Sequence, residues 1–193
     1  MPKQKINAAE ILDISLELIR KQGYEKINAR SIAQKMDCSV QPIYSYFGNM
    51  DGLMLQLFDH AKKYLNHYID MHSDRSNYFE SIGKCHIGFA TDEKFLFRFL
   101  FQSPFLKATS IEEIYLLYAR DDVAKDISAT LGLTEDDTEK LYTGMMIYSH
   151  GIACMIAADA VHFSDEDILA KINFAYWSFL RNIKEENHET HCS

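Results

Sequence analysis

Three observations predict an all-α fold. The chain of 193 residues holds only three Pro and eight Gly, few punctuation marks for the many tight turns of an all-β protein. Apolar residues recur at three- and four-residue spacing in one segment after another. No two alternating runs are joined by a convincing hairpin turn. Hydrophobic residues make up 47% of the chain, enough for a substantial core.

The first helix is read from "NAAEILDISLELIRKQGY". Asn7 can cap it, with Glu10 three residues on as the reciprocal partner. Ile11, Ile14 and Leu18, flanked by Leu12 and Ile19, form one apolar face, and Gly23 supplies a stop. "INARSIAQKM" follows as a short second helix, capped by Asn28, with Ile27 and Ile32 at the two staple positions. It stops at Asp37 and Cys38, and "SVQPIYSYF" begins a third helix with Ser39 as its expected N-cap. Pro42 then falls in the first turn, where the N–H it lacks has no helical partner to lose. Two short helices joined by about three residues make a helix-turn-helix pattern.

A long fourth helix is expected from about Asn49 through Leu53, Leu57, Ala61 and Tyr64. From Ser76 onward further helices follow. In "TDEKFLFRFLFQSPF" the alternating Phe95, Phe97, Phe99 and Phe101 could suggest a strand. Leu96 and Leu100 fill the other face, however, and Lys94 and Arg98 lie four apart, so a helix with one polar stripe is preferred, ending before Pro104. Ser110 with Glu113 opens another helix. Residues 134–158 and 164–184 form two long final helices, started by Thr134 and Ser164. "EENHETHCS" is expected to be a frayed tail.

Net charge is −8, which by itself argues against nucleic acid. It is unevenly spread. Residues 1–50 hold seven cations and five anions, a net +2, which leaves −10 for the rest. A mildly basic head on an acidic body suits a two-part protein whose head meets something anionic. The longest apolar runs are too short to span a membrane. Cys38, Cys85, Cys154 and Cys192 show no paired spacing, and are read as reduced thiols in a cytoplasm.

Residues 11–53 resemble the N-terminal DNA-binding domain of the tetracycline-repressor (TetR/AcrR) family. The resemblance rests on Leu18–Ile19 before Gly23–Tyr24, then Ile32–Ala33, Ser39, Ile43–Tyr44, Tyr46–Phe47 and Leu53. It implies a homodimeric, all-helical transcription regulator with double-stranded DNA as partner, at a pseudo-palindromic operator. The head would span residues 1–48. A helical ligand-binding and dimerisation body would span 49–185, and a flexible tail 186–193. A small-molecule effector in the body would tilt the fourth helix and move the two heads out of register.

The same resemblance places the third helix in the major groove. Ile43 and Phe47, four apart, face the head's core. Ser39, Val40, Gln41 and Pro42 lie in or beside the exposed first turn, where the family touches base edges. Gln41 can bond adenine N6 and N7 together, while Val40 and Pro42 suit a thymine methyl. Tyr44, Ser45 and Tyr46 face phosphates, as do Lys3 and Lys5, and Arg30 meets a phosphate or a base. The family often has Lys where this chain has Val40 and Met50, and no Lys or Arg occurs from residue 36 to 61. DNA affinity is therefore expected to rest on hydroxyls, on helix N-termini and on Lys3, Lys5, Lys26, Arg30 and Lys35, with a shallow salt dependence.

Nothing in the sequence reads as catalytic, metal-binding or cofactor-binding. "HETH" at His188 lacks metalloprotease spacing, and no Gly-rich phosphate loop occurs. Phe89, Phe97, Phe101, Tyr115, Tyr118, Tyr142, Met145, Met146, Tyr148, Met155 and Trp177 are candidates to line a pocket for an apolar or flat ligand. The two long final helices each carry more apolar residues than one face can hold. Leu141, Tyr148, Ile152 and Met155 are expected on one face of the first, and Leu169, Ile172, Tyr176 and Phe179 on one face of the second. Their surplus is expected to build a dimer. The alternative is a helical small-molecule or metal carrier that has lost DNA binding, which the missing cations at positions 40 and 50 favour.

Overall fold

The computed structural model describes residues 6–191. Among these residues the chain forms ten α-helices and no strand. They are α1 (Ala8–Gln22), α2 (Ala29–Lys35), α3 (Gln41–Phe47), α4 (Met50–His72), α5 (Tyr78–Asp92), α6 (Lys94–Gln102), α7 (Ile111–Tyr118), α8 (Asp121–Leu131), α9 (Glu135–Ala157) and α10 (Asp165–His191). They divide into two compact units whose boundaries interleave. The first runs through Tyr68 and takes in Asp92–Lys107; the second holds Ile69–Thr91 and everything from Ala108 on.

In the first unit, α1 begins as its sequence demands. Asn7 accepts from the Glu10 N–H, and the Glu10 carboxylate accepts from the Asn7 N–H. The buried face is not the one expected. Ile11, Ser15, Leu16 and Ile19 point inward, while Ile14 and Leu18 are only half-buried. Ser15 can turn inward because its hydroxyl donates to the Ile11 carbonyl at 2.6 Å, which satisfies the buried polar group within the helix. Gly23 ends the helix at φ +88°, a conformation that disfavours any side chain.

Asn28 caps α2 through Ser31, and Ile27 and Ile32 are both buried, as the staple requires. Its end is a paired-bond stop. The Cys38 N–H donates to Ala33 O at 3.0 Å and the Asp37 N–H to Gln34 O at 3.3 Å, with Asp37 left-handed at φ +49°. In α6, Leu96, Phe97, Phe99 and Leu100 are fully buried, and Lys94 and Arg98 form the half-buried polar stripe. Phe99 packs against Tyr24, Phe58 and Phe105, with ring centroids 5.6, 5.6 and 5.7 Å away.

In the second unit, Thr134 caps α9 and Ser110 caps α7 as the sequence predicts. The helices α9 and α10 run antiparallel. The Asn187 side chain donates to Asp137 at 2.9 Å, and Gly144 lies so close to Phe179 that a Cβ there would come within 3.3 Å of its ring. Moving up α9 therefore means moving down α10. Their faces also differ from expectation. Leu141 and Ile152 are buried, whereas Ile147 and Met155 are 50% and 40% exposed. On α10, Ile172, Ala175, Leu180 and Ile183 point inward. Phe174 and Trp177 point outward, at 73% and 60% exposed. Within the segment expected to fray, residues 185–191 are helical and belong to α10. Buried Ile183 and the Asn187–Asp137 bond hold this last stretch to α9.

Candidate nucleic-acid interface

The surface in question is built by α3, a helix of only two turns. Ile43 and Phe47, one turn apart, are 0% and 7% exposed and anchor it to the core. The rest of the helix faces outward. Gln41, Ser45, Tyr44 and Tyr46 are exposed, the two tyrosines at 46% and 47%. Val40 and Pro42 are half-buried beside them. The first turn thus offers Gln41 as its freest side chain, and the body of the helix offers hydroxyls.

Ser39 does not cap α3. The helix is capped one residue later, by Val40, whose carbonyl accepts from the N–H groups of Ile43 and Tyr44 at 3.2 and 3.4 Å, and no side chain bonds the cap. Val40 already has helical backbone angles, φ −72° and ψ −13°. The reason is local. Pro42 has no N–H, so a serine cap at 39 would have only the Gln41 N–H to accept, and the paired-bond stop of α2 carries the chain straight into the turn. Ser39 is left exposed at the start of the surface.

Tyr46 differs from Tyr44 in its bonding. Its hydroxyl donates to the Ile6 carbonyl at 3.1 Å, which ties α3 to the segment leading into α1. A phosphate contact by Tyr46 would have to use its hydroxyl as shared or freed donor. Arg30 is exposed near the start of α2, and Lys26 and Lys35 are exposed nearby in sequence. Lys3 and Lys5 lie outside the described residues.

Two features that position this surface were not legible in the sequence. One is the junction of α3 and α4. Gly48 turns the chain at φ +76°, and Asn49 Oδ1 accepts from the Gly52 N–H at 2.8 Å to start α4. Gly52 itself lies against α3, where a Cβ would stand 2.2 Å from the Phe47 carbonyl oxygen. Only glycine fits there.

The other is a buried carboxylate. Glu93, 7% exposed at the start of α6, accepts two bonds from the Arg20 guanidinium, the one from Nε at 2.8 Å, and a third from the Tyr64 hydroxyl at 2.7 Å. Arg20 also stacks over the Tyr64 ring at 4.8 Å. Burial, and then the bond to Glu93, push the Tyr64 hydroxyl up to about 12, so it stays a donor. The cluster joins α1, α4 and α6 into one rigid support for the head. His60 and Asp13 add a second α1–α4 contact at 2.8 Å.

The pocket candidates are spread over both units. Phe97 and Phe101 belong to the first; the others belong to the second. Phe89, Phe97, Tyr142 and Met145 are buried, while Phe101, Tyr115, Tyr118, Met146 and Tyr148 are half-buried. Met155 and Trp177 are exposed, because they lie on the outer faces of α9 and α10. Within the second unit, Tyr142 packs edge-on against Phe79 and Tyr115, with centroids 5.8 and 5.5 Å away, and its hydroxyl accepts from the Arg120 N–H at 3.1 Å.

A short helix that buries two residues and turns a glutamine and hydroxyls outward, at the end of a helix-turn-helix, has the layout of a recognition helix. The comparisons agree. Residues 11–57 match the family model described as "Bacterial regulatory proteins, tetR family". A TetR variant from Acinetobacter baumannii AYE, solved in complex with minocycline, superposes with a TM-score of 0.60 at 14% identity, covering 94% of this chain and 98% of that one. A TetR family transcription regulator from Marinobacter aquaeolei VT8 gives 0.61 at 16% identity, covering 88% and 93%. A TetR-like transcriptional regulator from Rhodococcus sp. RHA1 gives 0.62 at 14%, covering 92% and 99%. No curated protein matches the chain. Residues 11–57 thus carry the sequence pattern of the tetR family model, and the whole chain has the fold of the solved TetR-family structures. No described helix is long and apolar enough to cross a membrane.

Proposed function

We propose that this chain is a homodimeric repressor whose hold on a pseudo-palindromic operator is controlled by a small apolar or aromatic ligand in its second unit. The observation that carries the reading is the division of α3: Ile43 and Phe47 inward, Gln41, Tyr44 and Ser45 outward, on a head of tetR sequence. Gln41 reads a base edge, and Tyr44 and Ser45 hold phosphates. Apolar Ile147, Met155, Phe174 and Trp177, exposed on α9 and α10, are the surplus that a second copy covers. The Phe79–Tyr142–Tyr115 cluster supports a flat or aromatic ligand, in keeping with the minocycline held by the Acinetobacter protein.

A carrier that has lost DNA binding is the second reading, favoured by the absence of Lys and Arg from residue 36 to 61. Selection of duplexes from a random-sequence pool by the full-length protein separates the two. The regulator enriches an inverted repeat with half-sites about one helical turn apart. A pool that stays unenriched at low salt supports the carrier.

A further inference from the structure

In the second unit, α5 and α9 touch at two points and leave a gap between them. Phe79 packs edge-on against Tyr142, with centroids 5.8 Å apart. Further along, His86 lies beside His150, with centroids 5.5 Å apart and His86 Nε2 3.3 Å from His150 Nδ1. Phe79, Gly83 and His86 share one face of α5, and Tyr142, Met146 and His150 share one face of α9, because each set repeats every three or four residues. Between the two contacts a glycine therefore stands opposite a methionine. Gly83 brings no side chain, and Met146 is flexible enough to fold aside. From Phe79 to His86 the helix rises about 10 Å, the length of two fused rings with one substituent.

We propose that this gap takes an uncharged, flat two-ring molecule bearing one hydroxyl or carbonyl, with its rings beside Gly83 and its polar group on the His86–His150 pair. The inference rests on the reading of the second unit as ligand-binding, and adds to it the class of ligand and the side chains that select it. Phe79 and Tyr142 close one end of the gap, and Tyr115 lies against Tyr142 at 5.5 Å. On α10, Tyr176 lies 6.0 Å from Phe79, and Ile172 Cδ1 would meet a Cβ on Gly83 at 3.9 Å, so these two form the floor. Such walls stack on aromatic rings of many kinds. The histidine pair is what discriminates. Each neutral imidazole carries one N–H and one lone pair, so the pair can donate to a carbonyl or accept from a hydroxyl.

Two further observations support this. Phe79, Gly83, His86, Met146 and His150 are all half-buried along the same line, in keeping with facing helices that do not close on each other. Burial nonetheless holds both imidazoles below their ordinary pKa, so the surface they leave uncovered opens onto an enclosed space and not onto bulk water. Neutral imidazoles offer a carboxylate no charge to replace its water. Arg120, whose backbone N–H bonds the Tyr142 hydroxyl at the other end, commits its guanidinium to Asp70 and Asp122. An acid is therefore excluded, and an uncharged hydroxyl is admitted. The gap lies on the side of α9 that faces α5, so a second copy can cover the outer stripe with Ile147 and Met155 without closing it.

The test uses the full-length protein and three probes of one shape, 2-naphthol, naphthalene and 2-naphthoate, with binding measured by equilibrium dialysis at neutral pH. 2-Naphthol should bind about tenfold more tightly than either of the others, because only it satisfies the histidine pair without carrying a charge. Gly83→Leu, which fills the gap, should lose 2-naphthol and naphthalene alike. His86→Leu should keep naphthalene and bring 2-naphthol down to its level. The proposal is overturned if 2-naphthoate or naphthalene binds as well as 2-naphthol, or if none of the three binds. It is equally overturned by a Gly83→Leu chain that keeps its affinity, or by a His86→Leu chain in which 2-naphthol keeps its lead. Should either variant fail to fold, the wild-type ranking of the three probes decides alone. Control of DNA is read separately. If 2-naphthol binds as expected yet leaves the hold on the enriched duplex unchanged, ligand control is contradicted and the site stands.

Discussion

Arg20 and Glu93 lie 73 positions apart in sequence and meet in a two-pronged ion pair. Arg20 is on the helix that precedes the helix-turn-helix, and Glu93 starts α6. The carboxylate is almost fully buried, while the arginine side chain is 38% exposed. The pair therefore acts as a fixed strut: its carboxylate end is shut off from water, while its arginine end can fall back on water.

Truncating the buried end tests this. Glu93→Ala leaves Arg20 and the Tyr64 hydroxyl without their shared acceptor. A fully buried pair would lose ~3–5 kcal/mol, but water can resolvate Arg20, so the expected loss is about 2 kcal/mol. Thermal melts of the two proteins measure it. An unchanged melting temperature would mean the strut carries no weight.

Gly52→Ala should cost about 1–3 kcal/mol and weaken DNA binding as well. The added methyl would stand 2.2 Å from the Phe47 carbonyl, a backbone atom that cannot swing aside. Relief requires α3 to shift on α4, which re-aims the exposed face. By contrast a Cβ at Gly151 meets nothing within 4 Å in its own chain, so Gly151→Ala should not strain the subunit. Paired denaturation curves would expose an error if the two alanines behaved alike.

The head was legible in sequence because its instructions are local. Asn7 with Glu10, Asn28 as a cap beside the Ile27–Ile32 staple, and Ile43 with Phe47 act within one or two turns, and each is where its spacing puts it. What the sequence hid is long-range. Nothing local to Glu93 marks it, and only the fold brings Arg20 and Tyr64 to it. The apolar faces of α1, α9 and α10 were misjudged for one reason: each helix has apolar residues on several sides. Spacing alone could not choose Ile11–Ser15–Ile19 over Ile11–Ile14–Leu18. Ser39 was assigned to a cap by its residue type, whereas the α2 stop and Pro42 pass that role to Val40.

Trp177→Glu tests the dimer. Trp177 and Phe174 lie on one outward face of α10, and a charge amid such apolar surface should raise the dimer dissociation constant by about tenfold or more. Sedimentation of both chains over a dilution series gives the answer. A wild-type chain that is already a stable monomer removes the dimer from the account.

Acid should weaken the second unit before its carboxylates titrate. Burial and the neighbouring His150 push His86 down to about 3 from its ordinary 6.5. Burial lowers His150 too. The unfolded chain takes up protons at these sites below pH 6.5, and the folded chain does not, so stability is full above that value and falls as pH drops below it. The slope reaches at most about 1.4 kcal/mol per pH unit for each such histidine. Urea midpoints at about pH 7.5 and about pH 5.5 measure it. His86→Gln should flatten the fall, and an equal fall in both chains would show that His86 is not held neutral.

The most direct test of the DNA-reading surface compares Gln41→Ala with Tyr44→Phe. Both are titrated against the duplex enriched by the wild-type protein and against a copy with one A·T pair per half-site changed. Gln41→Ala should lose roughly 1–3 kcal/mol per good contact on the enriched duplex and lose its preference over the changed one. Tyr44→Phe should weaken both duplexes about equally, because a phosphate contact carries no sequence. Equal weakening of both duplexes by Gln41→Ala would contradict base reading by the first turn of α3.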